Sequence, residues 1–472
     1  MAGIVSYGAY IPYSRLPRAE VGSFWGRRAA PGEKAVANYD EDAITIAVEA
    51  ARNCLRDVDR SKVDGLFFAS TSSPFKEKQA SSLIAAALHL PKEIPTADFS
   101  NSLRGGTIAL QLTLNTIKAK MAKNILVIAS DCRRAFPGSA LENDFGDGAC
   151  ACLVGDSGVL ATIDDSYVHY DEIIDKWRGE NDRFVQYWED RYVLTAGYTP
   201  NITKAMSNML KKGNSSPGDF AKVALFGPDR RNMLGAIGGA GFDAKTQFDT
   251  SLIDNVGNTG AASAFISLAA ALDEAKPGDR ILLANYGGGA DAFILKVTDE
   301  IEKGRSNKRG IKNYLEVKRT IPYSKYLRFH ELIEMEVGRD RPPHLSSPPV
   351  LWRAVKNSLP LIGHKCRHCG KIQYPAERVC MSCGSKDDFD DYPFADREGT
   401  LFTFSIDDMA PSPDPPTLHS ITDVDGGGRL SCLMTDCDPQ EVKIGMRIKM
   451  SFRKLSVTYS YPNYWWKSTL VR

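Results

Sequence analysis

Four cysteines near residue 370 have the spacing of metal ligands. They form two C-x-x-C pairs separated by ten residues, namely Cys366, Cys369, Cys380 and Cys383. Two such turns supply the tetrahedral four-sulfur shell that zinc favours. Because four thiolates leave no coordination position for water or substrate, the spacing predicts a structural zinc. The flanking His364 and His368 could replace one sulfur, but they are expected to be exposed neighbours of the site.

A second candidate site lies in the stretch DFSNSLRGGTIALQL, residues 98–112. The pattern predicts a strand end, a polar turn and the start of an apolar helix. Enzymes mount nucleophiles on such turns because a helix N-terminus favours negative charge. Here the turn offers Ser102 or Leu103, and a hydroxyl is far harder to ionise than a thiol. The sequence therefore predicts a nucleophile position that lacks a thiol.

The elements that must position this turn follow an α/β pattern over residues 1–300. VDGLFFAS (63–70) and NILVIASD (124–131) are typical of buried strands, and EDAITIAVEAARNCLRDV (41–58) has helical periodicity. A weak internal repeat places a Gly-rich turn, a helix, a strand, a Gly loop and a strand in order, first from residue 104 and again over 257–297. The repeat predicts two similar halves packed around one core.

The remaining sequence divides into three segments. Residues 301–345 are charged and then proline-rich, which predicts a linker with a helix at 324–336. Residues 346–390 contain the cysteine pairs and predict a zinc ribbon. Residues 391–472 have short β-like runs and predict a small barrel.

Composition excludes several classes of protein. The 472 residues are 43% hydrophobic and 25% charged, with a formal net charge of +1. This balance provides no field that would favour nucleic acid or an anionic membrane. The N-terminus lacks the pattern of a signal peptide, and no stretch approaches the length of a membrane span, so a cytoplasmic protein is expected.

Several motifs of residues 1–300 resemble the 3-hydroxy-3-methylglutaryl-CoA synthases of the thiolase superfamily. They are GAYIPYSRL, DEDAITIAVEAARNCL, PGSALENDFGDGACACLVGD and GNTGAASAFISLAAALDEAKPGDRILLANYGGGADAF. Residues 346–472, including DVDGGGRLSCLMTDCDPQEVKIGMRIKMSF, resemble the zinc-ribbon and OB-fold domains that accompany thiolase-like proteins. The resemblance implies an α/β fold, a duplicated α-β-α-β-α layered domain, followed by a zinc ribbon and an all-β OB-fold barrel. It also implies a homodimer and a coenzyme A thioester as substrate or ligand.

The resemblance also implies three catalytic groups, and the sequence departs from all three. The family uses a cysteine that is acylated, together with a histidine and a glutamate that handle protons. Ungapped alignment places Leu103 at the cysteine, Gly227 at the histidine and Thr71 at the glutamate. Covalent synthase chemistry is therefore not expected.

Other parts of the family site are retained. Asn258 matches the asparagine that holds the thioester oxygen, and Tyr286, Gly287 and Gly288 match the Gly-rich loop beside it. Backbone N–H groups of such a loop can stabilise an enolate. Arg230 and Arg231 are candidates for the CoA phosphates, although exposed arginines without a ligand are an equal alternative.

Three functions remain open at this stage. The first is a lyase that splits a β-hydroxyacyl-CoA by a retro-aldol step, with Asn258 as oxyanion donor and Tyr286 or Ser102 in proton transfer. The second is a non-catalytic subunit that binds acyl-CoA or scaffolds an active thiolase or synthase partner. The third is an acyltransferase with a relocated nucleophile.

Overall fold

The computed structural model describes residues 2–334 and 347–472, and the chain forms two compact units. Unit 1 is made of Met1–Ala37, Asp42–Ala85 and Leu90–Tyr326, and unit 2 is made of Asn38–Glu41, Ala86–His89 and Leu327–Arg472. No helix among the described residues has both the length and the apolar character required to cross a membrane.

Unit 1 is an α/β structure. Its strands are β1 (Gly3–Tyr10), β2 (Ser14–Pro17), β3 (Glu33–Val36), β4 (Gly65–Ser70), β5 (Thr96–Ser100), β6 (Asn124–Asp131), β7 (Gly148–Gly155), β8 (Ala161–Tyr170), β9 (Lys176–Trp177), β10 (Gln186–Tyr187), β11 (Lys222–Leu225), β12 (Arg280–Tyr286), β13 (Gly289–Val297) and β14 (Arg319–Thr320). The helices that lie or begin in it are α1 (Arg18–Phe24), α2 (Ala43–Cys54), α3 (Ala80–Ala87), α4 (Gly105–Lys118), α5 (Ala140–Asp144), α6 (Asp190–Tyr192), α7 (Thr199–Lys212), α8 (Arg230–Gly239), α9 (Ser251–Asn255), α10 (Ser263–Glu274), α11 (Ile301–Arg305), α12 (Ile311–Glu316) and α13 (Tyr323–Phe329). Short 3₁₀ turns occupy Arg60–Lys62, Pro217–Asp219 and Gly260–Ala262, and a π-helical turn occupies Val193–Tyr198.

Nine strands of unit 1 form one sheet in the order β11-β12-β13-β8-β1-β7-β6-β4-β5. The predicted repeat is visible in its pairing. In the first half β4 and β6 are parallel and β6 and β7 antiparallel, and in the second half β11 and β12 are parallel and β12 and β13 antiparallel. Strand β7 is buried along its whole length, which explains its continuous run of small and apolar residues.

Helices cover this sheet because each turns an apolar face towards it. Helix α2 begins at a capping box in which the Asp42 carboxylate accepts from the backbone of Ile44 and Thr45, both at 3.0 Å. Helices α4 and α10 occupy equivalent places in the two halves and follow the turns that carry the candidate site residues. The fold therefore brings the N-termini of two buried helices near the ends of the central strands.

The segment expected to be a linker differs from that expectation. Residues 301–326 belong to unit 1, because Ile301, Ile311 and Tyr314 are buried in it. The helix expected at 324–336 is shorter and ends at Phe329, and Glu331 has a positive φ of 53°. Residues 335 and 336 of that prediction, and the boundary expected at 345, lie outside the described residues. The boundary expected at 390 stays a prediction.

Unit 2 consists mainly of β-structure. Its elements are α14 (Pro348–Arg353), α15 (Val355–Ser358), β15 (Ile362–Cys366), β16 (Ile372–Gln373), β17 (Phe389–Pro393), β18 (Glu398–Asp407), β19 (Thr417–Val424), β20 (Arg429–Leu433), β21 (Arg447–Thr458) and β22 (Tyr461–Leu470). Strands β16-β15-β17 form a small sheet, and β20-β19-β18-β21-β22 form a second sheet. Met434, directly after β20, bridges Ser468 of β22, so the two edges of the second sheet approach each other.

A buried group of charges lies within unit 2, and we call it the Asp40 cluster. The Asp40 carboxylate contacts Lys467 at 2.8 Å and Arg453 at 3.2 Å. Arg453 also contacts Glu41 at 2.8 Å and Asp436 at 2.5 Å. No sequence pattern indicates this cluster, because Asp40 is 413 positions from Arg453 and 427 positions from Lys467.

Candidate active site

The turn before α4 brings three of the predicted site residues together. The Leu103 carbonyl accepts a hydrogen bond from the Asn285 side-chain amide at 3.2 Å. The Ser102 hydroxyl donates to the Gly287 carbonyl at 3.4 Å. A Cβ atom at Gly287 would lie 2.9 Å from the Leu103 Cβ, which is too close for a larger residue. The Gly-rich loop after β12 therefore packs directly against the start of α4.

Arg104 fixes this loop, although no motif in the sequence indicates that role. Its guanidinium donates to the carbonyls of Gly287 at 2.8 Å and Gly288 at 2.9 Å. It also pairs with the buried carboxylate of Asp291 at 2.7 Å. A cation at a helix N-terminus is disfavoured by the helix dipole, and the Asp291 carboxylate offsets that cost.

Asn258 is buried, and its side-chain amide has a defined orientation. The Oδ1 atom accepts from the Arg133 guanidinium and from the Gly260 backbone N–H at 3.1 Å. The Nδ2 atom therefore points the other way and donates to the Gly227 carbonyl at 3.4 Å. We call the surroundings of these groups the Asn258 corner, and it also includes Tyr198 and Asp144, described below.

The space beside Gly227 is filled by other side chains. A Cβ atom at Gly227 would lie 2.3 Å from the Met233 Cγ atom and 2.6 Å from the Tyr198 hydroxyl. Tyr198 is 1% exposed, and its hydroxyl donates to the Phe226 carbonyl at 3.3 Å. Any side chain at position 227 would require Met233 and Tyr198 to move.

Thr71 is hydrogen-bonded to the buried carboxylate of Asp131. Its backbone N–H and its hydroxyl donate to Asp131 at 2.7 and 2.9 Å. Ser70 and Ser72 donate to the same carboxylate, as does the backbone N–H of Ala261 at 2.8 Å. Because residue 261 follows Asn258 closely, this network ties Thr71 to the loop that carries Asn258.

Tyr286 faces the corner from the end of β12. Its hydroxyl donates to the Asp175 carboxylate at 3.0 Å, and its ring packs edge-on against Tyr198 with centroids 5.4 Å apart. Burial and the negative charge of Asp175 raise the pKa of Tyr286 well above its usual range. Tyr286 is therefore a neutral phenol and a hydrogen-bond donor at physiological pH.

Asp144 is an ionisable residue whose backbone contacts Asn258, and no motif in the sequence indicates it. The Asp144 carbonyl accepts from the Asn258 backbone N–H at 2.7 Å. Burial raises the pKa of its carboxyl to about 6, and the nearby charges that modify this shift belong to Arg18, Asp229, Lys176 and Lys34. Burial likewise lowers the pKa of Arg133 to about 10. A carboxyl that titrates near neutrality is suited to proton transfer.

The structure does not bring Arg230 and Arg231 into this corner. Both lie at the exposed start of α8. Arg230 pairs with Asp254 at 2.8 Å, with 57% of its side chain exposed. By contrast, Ser102, Leu103, Tyr286, Gly287, Gly227, Asn258 and Thr71 are linked by the contacts described above.

The four cysteines of unit 2 form the predicted cluster. Their sulfur atoms all lie within 4.8 Å of one another, and no other described residue belongs to the group. Sulfur–sulfur distances are 3.7 Å for Cys366 and Cys383 and 3.5 Å for Cys369 and Cys380. His364 instead contacts the Glu377 carbonyl at 3.0 Å and stacks on a phenylalanine ring. The donor set and its geometry fit one tetrahedral metal ion.

Comparisons with protein families match both units. Residues 210–297 match the C-terminal domain of 3-oxoacyl-[acyl-carrier-protein] synthase III. Residues 361–389 match the rubredoxin-like zinc ribbon domain of ChsH2, and residues 392–453 match its C-terminal OB-fold domain. The predicted zinc ribbon and OB fold are therefore confirmed.

Whole-sequence comparisons find hydroxymethylglutaryl-CoA synthases. That of Pyrococcus horikoshii is 33% identical over 333 residues, covering 69% of this chain and 95% of the relative. That of Methanosarcina mazei is 34% identical over 340 residues, covering 69% and 97%.

Solved structures show the same fold. A crystal structure of HMG-CoA synthase complexed with CoA gives a TM-score of 0.63 at 19% identity and covers 74% of this chain and 95% of that one. MvaS in complex with 3-hydroxy-3-methylglutaryl coenzyme A gives 0.61 at 22%, covering 72% and 94%. These structures confirm the thiolase-like layered fold. The chain thus belongs to the hydroxymethylglutaryl-CoA synthase family and carries a ChsH2-type zinc ribbon and OB-fold domain after its synthase-like part.

Proposed function

We propose that unit 1 binds a β-hydroxyacyl-CoA and cleaves its Cα–Cβ bond by a retro-aldol reaction, without an acyl-enzyme. The observation that carries the proposal is the orientation of the Asn258 amide. Arg133 and the Gly260 backbone hold its oxygen, so its NH₂ group, which donates weakly to the Gly227 carbonyl at 3.4 Å, can donate to a thioester oxygen instead. A preorganised donor of this kind stabilises an enolate more than it stabilises the ground state.

We infer the ligand, a CoA thioester, from the family and from the Gly-rich loop that packs beside α4. Two structures of similar fold hold CoA or an acyl-CoA. In this chain the backbone of Gly287 and Gly288 would face the thioester, and the exposed Arg230 and Arg231 would meet the CoA phosphates.

The reaction requires one base and one oxyanion donor. A base removes the proton of the β-hydroxyl, and that electron pair forms the carbonyl of the leaving aldehyde or ketone. The Cα–Cβ electrons then form the thioester enolate, which Asn258 stabilises, and the base returns its proton to Cα. We assign the base to Asp144, because its backbone carbonyl accepts from the Asn258 N–H at 2.7 Å and its carboxyl, with a pKa of about 6, is ionised at neutral pH and able to return a proton. Ser102 and Tyr286 supply hydrogen bonds that hold the substrate.

Three positions argue against covalent chemistry. Leu103 has no nucleophilic atom, Thr71 is bonded to Asp131, and the space beside Gly227 is filled. These are the positions at which the family resemblance places the acylated cysteine and its proton-transfer partners. An acyltransferase with a relocated nucleophile is accordingly the weakest of the three functions.

Two further assignments concern assembly. We assign a structural zinc to the four cysteines of the ribbon, because a closed thiolate shell contributes folding free energy to a segment with little core. We also assign a homodimer, because β5 is an edge strand whose backbone groups would pair with a second copy.

A scaffold role for an active thiolase or synthase partner is the second candidate. It is favoured by the packing of Leu103 against Gly287, because this contact reduces the space at the position where the family has its nucleophilic cysteine. The two candidates differ in turnover, since only a lyase releases a shorter acyl-CoA.

The test is a panel of β-hydroxyacyl-CoA thioesters followed by chromatography and mass spectrometry. We expect a shorter acyl-CoA and an aldehyde or ketone in equal amounts. Asn258→Ala should lower kcat by about 10² to 10³, the usual effect of removing one oxyanion donor. The matched control is Asn208→Ala, which removes a part-buried asparagine of α7 that bonds to Tyr167. Binding without cleavage across the panel would refute the lyase and support the scaffold.

A further inference from the structure

Tyr198 occupies an unusual place in the Asn258 corner. It ends the π-helical turn Val193–Tyr198, and such turns are frequent at functional sites. Its hydroxyl lies where a side chain at position 227 would begin, 2.6 Å from the Cβ that a larger residue would have. The phenol hydroxyl of Tyr198, which belongs to a different element, thus occupies space that a side chain at position 227 would need.

Tyr198 and Asn258 point donors at the same short segment. The Tyr198 hydroxyl donates to the carbonyl of Phe226 at 3.3 Å, and the Asn258 amide donates to the carbonyl of Gly227 at 3.4 Å. Both distances exceed the usual lengths for such bonds, so both donors are weakly held. A ligand oxygen that offered shorter bonds would compete with these carbonyls for the two donors.

We propose that the Tyr198 hydroxyl is a second hydrogen-bond donor to the thioester oxygen, acting with Asn258 on the enolate. This role rests on the proposed function of unit 1. Burial raises the pKa of Tyr198 well above its usual range, with a further contribution from Asp229. The phenol is therefore neutral and donates without transferring its proton. Two donors on one oxygen form an oxyanion hole, and neither residue alone completes it.

The variant Tyr198→Phe removes the hydroxyl and keeps the ring that packs against Tyr286. We expect kcat to fall by about 10²-fold with little change in KM, because the bond strengthens only as charge develops on the oxygen. The matched control is Tyr314→Phe, which alters another buried tyrosine of unit 1. If both donors serve one oxygen, Tyr198→Phe combined with Asn258→Ala should cost less than the product of the two single effects.

A binding measurement separates this inference from the proposed function. The probe is a CoA thioether that carries a nitronate, an anionic mimic of the enolate, compared with the uncharged propyl thioether. Tyr198→Phe should weaken nitronate binding at least tenfold and leave binding of the propyl thioether unchanged. If wild type cleaves substrate and Tyr198→Phe matches it in kcat, the inference is wrong while the lyase stands. If no substrate is cleaved, equal nitronate affinity in wild type and Tyr198→Phe refutes the inference independently.

Discussion

The Asp40 cluster of unit 2 and the Asn258 corner of unit 1 are both buried and polar, but their groups are bonded to very different extents. In the Asp40 cluster, Asp40, Arg453 and Lys467 are joined by contacts of 2.8 to 3.2 Å. In the Asn258 corner, the donors of Tyr198 and Asn258 form bonds of 3.3 and 3.4 Å to carbonyls. In the Asp40 cluster the charged groups pair with one another at short distances. The Asn258 corner instead contains weakly bonded donors that can form hydrogen bonds to a ligand.

Two aspartates show the same contrast electrostatically. Burial acts to raise the pKa of both carboxyls. At Asp40 the charges of Lys467 and Arg453 outweigh burial and lower the pKa to about 2. At Asp144 burial prevails over the neighbouring cations, and the pKa rises to about 6. A fully paired carboxylate is fixed in one charge state, while the Asp144 carboxyl changes charge near neutrality.

The largest expected effect is on catalysis in the Asn258 corner. Asp144→Asn should lower kcat for retro-aldol cleavage by about 10² to 10⁴, because a general base contributes a factor of this size. In wild type, kcat/KM should rise as pH increases through about 6, since the ionised carboxylate is the active form. Groups that set this value, apart from burial, are Arg18, Asp229, Lys176 and Lys34. Steady-state kinetics between pH 4.5 and 8 measures both effects.

Asp165→Asn is the control for that experiment. Asp165 pairs with Lys212 at 2.7 Å, and this partner lowers the pKa of its carboxyl. Its replacement should leave both the rate and the pH profile unchanged. A profile that keeps its rise near pH 6 in Asp144→Asn would assign the base to another residue.

The next largest effect is on the stability that the Asp40 cluster provides. Asp40→Asn leaves Lys467 and Arg453 buried with less negative charge, so the free energy of unfolding should fall by about 3 to 5 kcal/mol. Asp423→Asn is the matched control, because its pair with Arg429 is about half exposed and should contribute about 0 to 1 kcal/mol. Urea unfolding of the full chain, followed by tryptophan fluorescence, measures both variants. Equal losses in the two variants would show that the Asp40 cluster does not stabilise the fold.

The pH dependence of stability provides a second measurement of the Asp40 cluster. The folded pKa of Asp40, about 2, lies below the unfolded value of about 4. Its contribution is therefore complete above pH 4 and is lost as pH falls towards 2. Asp40→Asn should remove this part of the acid sensitivity.

The sequence predicted those features that depend on local spacing. Four cysteines at C-x-x-C spacing define their own cluster, and the repeated turn, helix and strand order predicted the duplicated sheet. Asn258, Gly287 and Ser102 were found because short motifs surround them. Their proximity could not be predicted in this way, because β5 and β12 lie near opposite edges of the sheet, and it is the contacts of Ser102 and Leu103 with Gly287 and Asn285 that show it.

The functional residues that the sequence did not predict form hydrogen bonds to residues that are far away along the chain. Arg133 holds Asn258 across 125 positions, and Tyr198 bonds to Phe226 across 28. No periodicity encodes such pairs, because each depends on how strands far apart in the chain are ordered in the sheet. The pKa of Asp144 likewise depends on charges from several elements. These are also the groups that make the Asn258 corner differ from the Asp40 cluster.

The smallest expected effect concerns Leu103. Leu103→Cys should introduce a thiol at the start of α4 without producing an enzyme that condenses two acyl-CoA molecules. A helix N-terminus helps a thiol to ionise, but condensation also needs proton transfer to and from the second substrate. The partner positions are unavailable, because Met233 and Tyr198 fill the space beside Gly227 and Thr71 donates to Asp131. Mass spectrometry should find no acyl adduct on residues 98–112 of wild type, and an acyl group on Ser102 would contradict this. In Leu103→Cys an adduct on the new thiol is compatible with the proposal, whereas release of a condensation product would show that the corner retains the proton-transfer groups of a synthase.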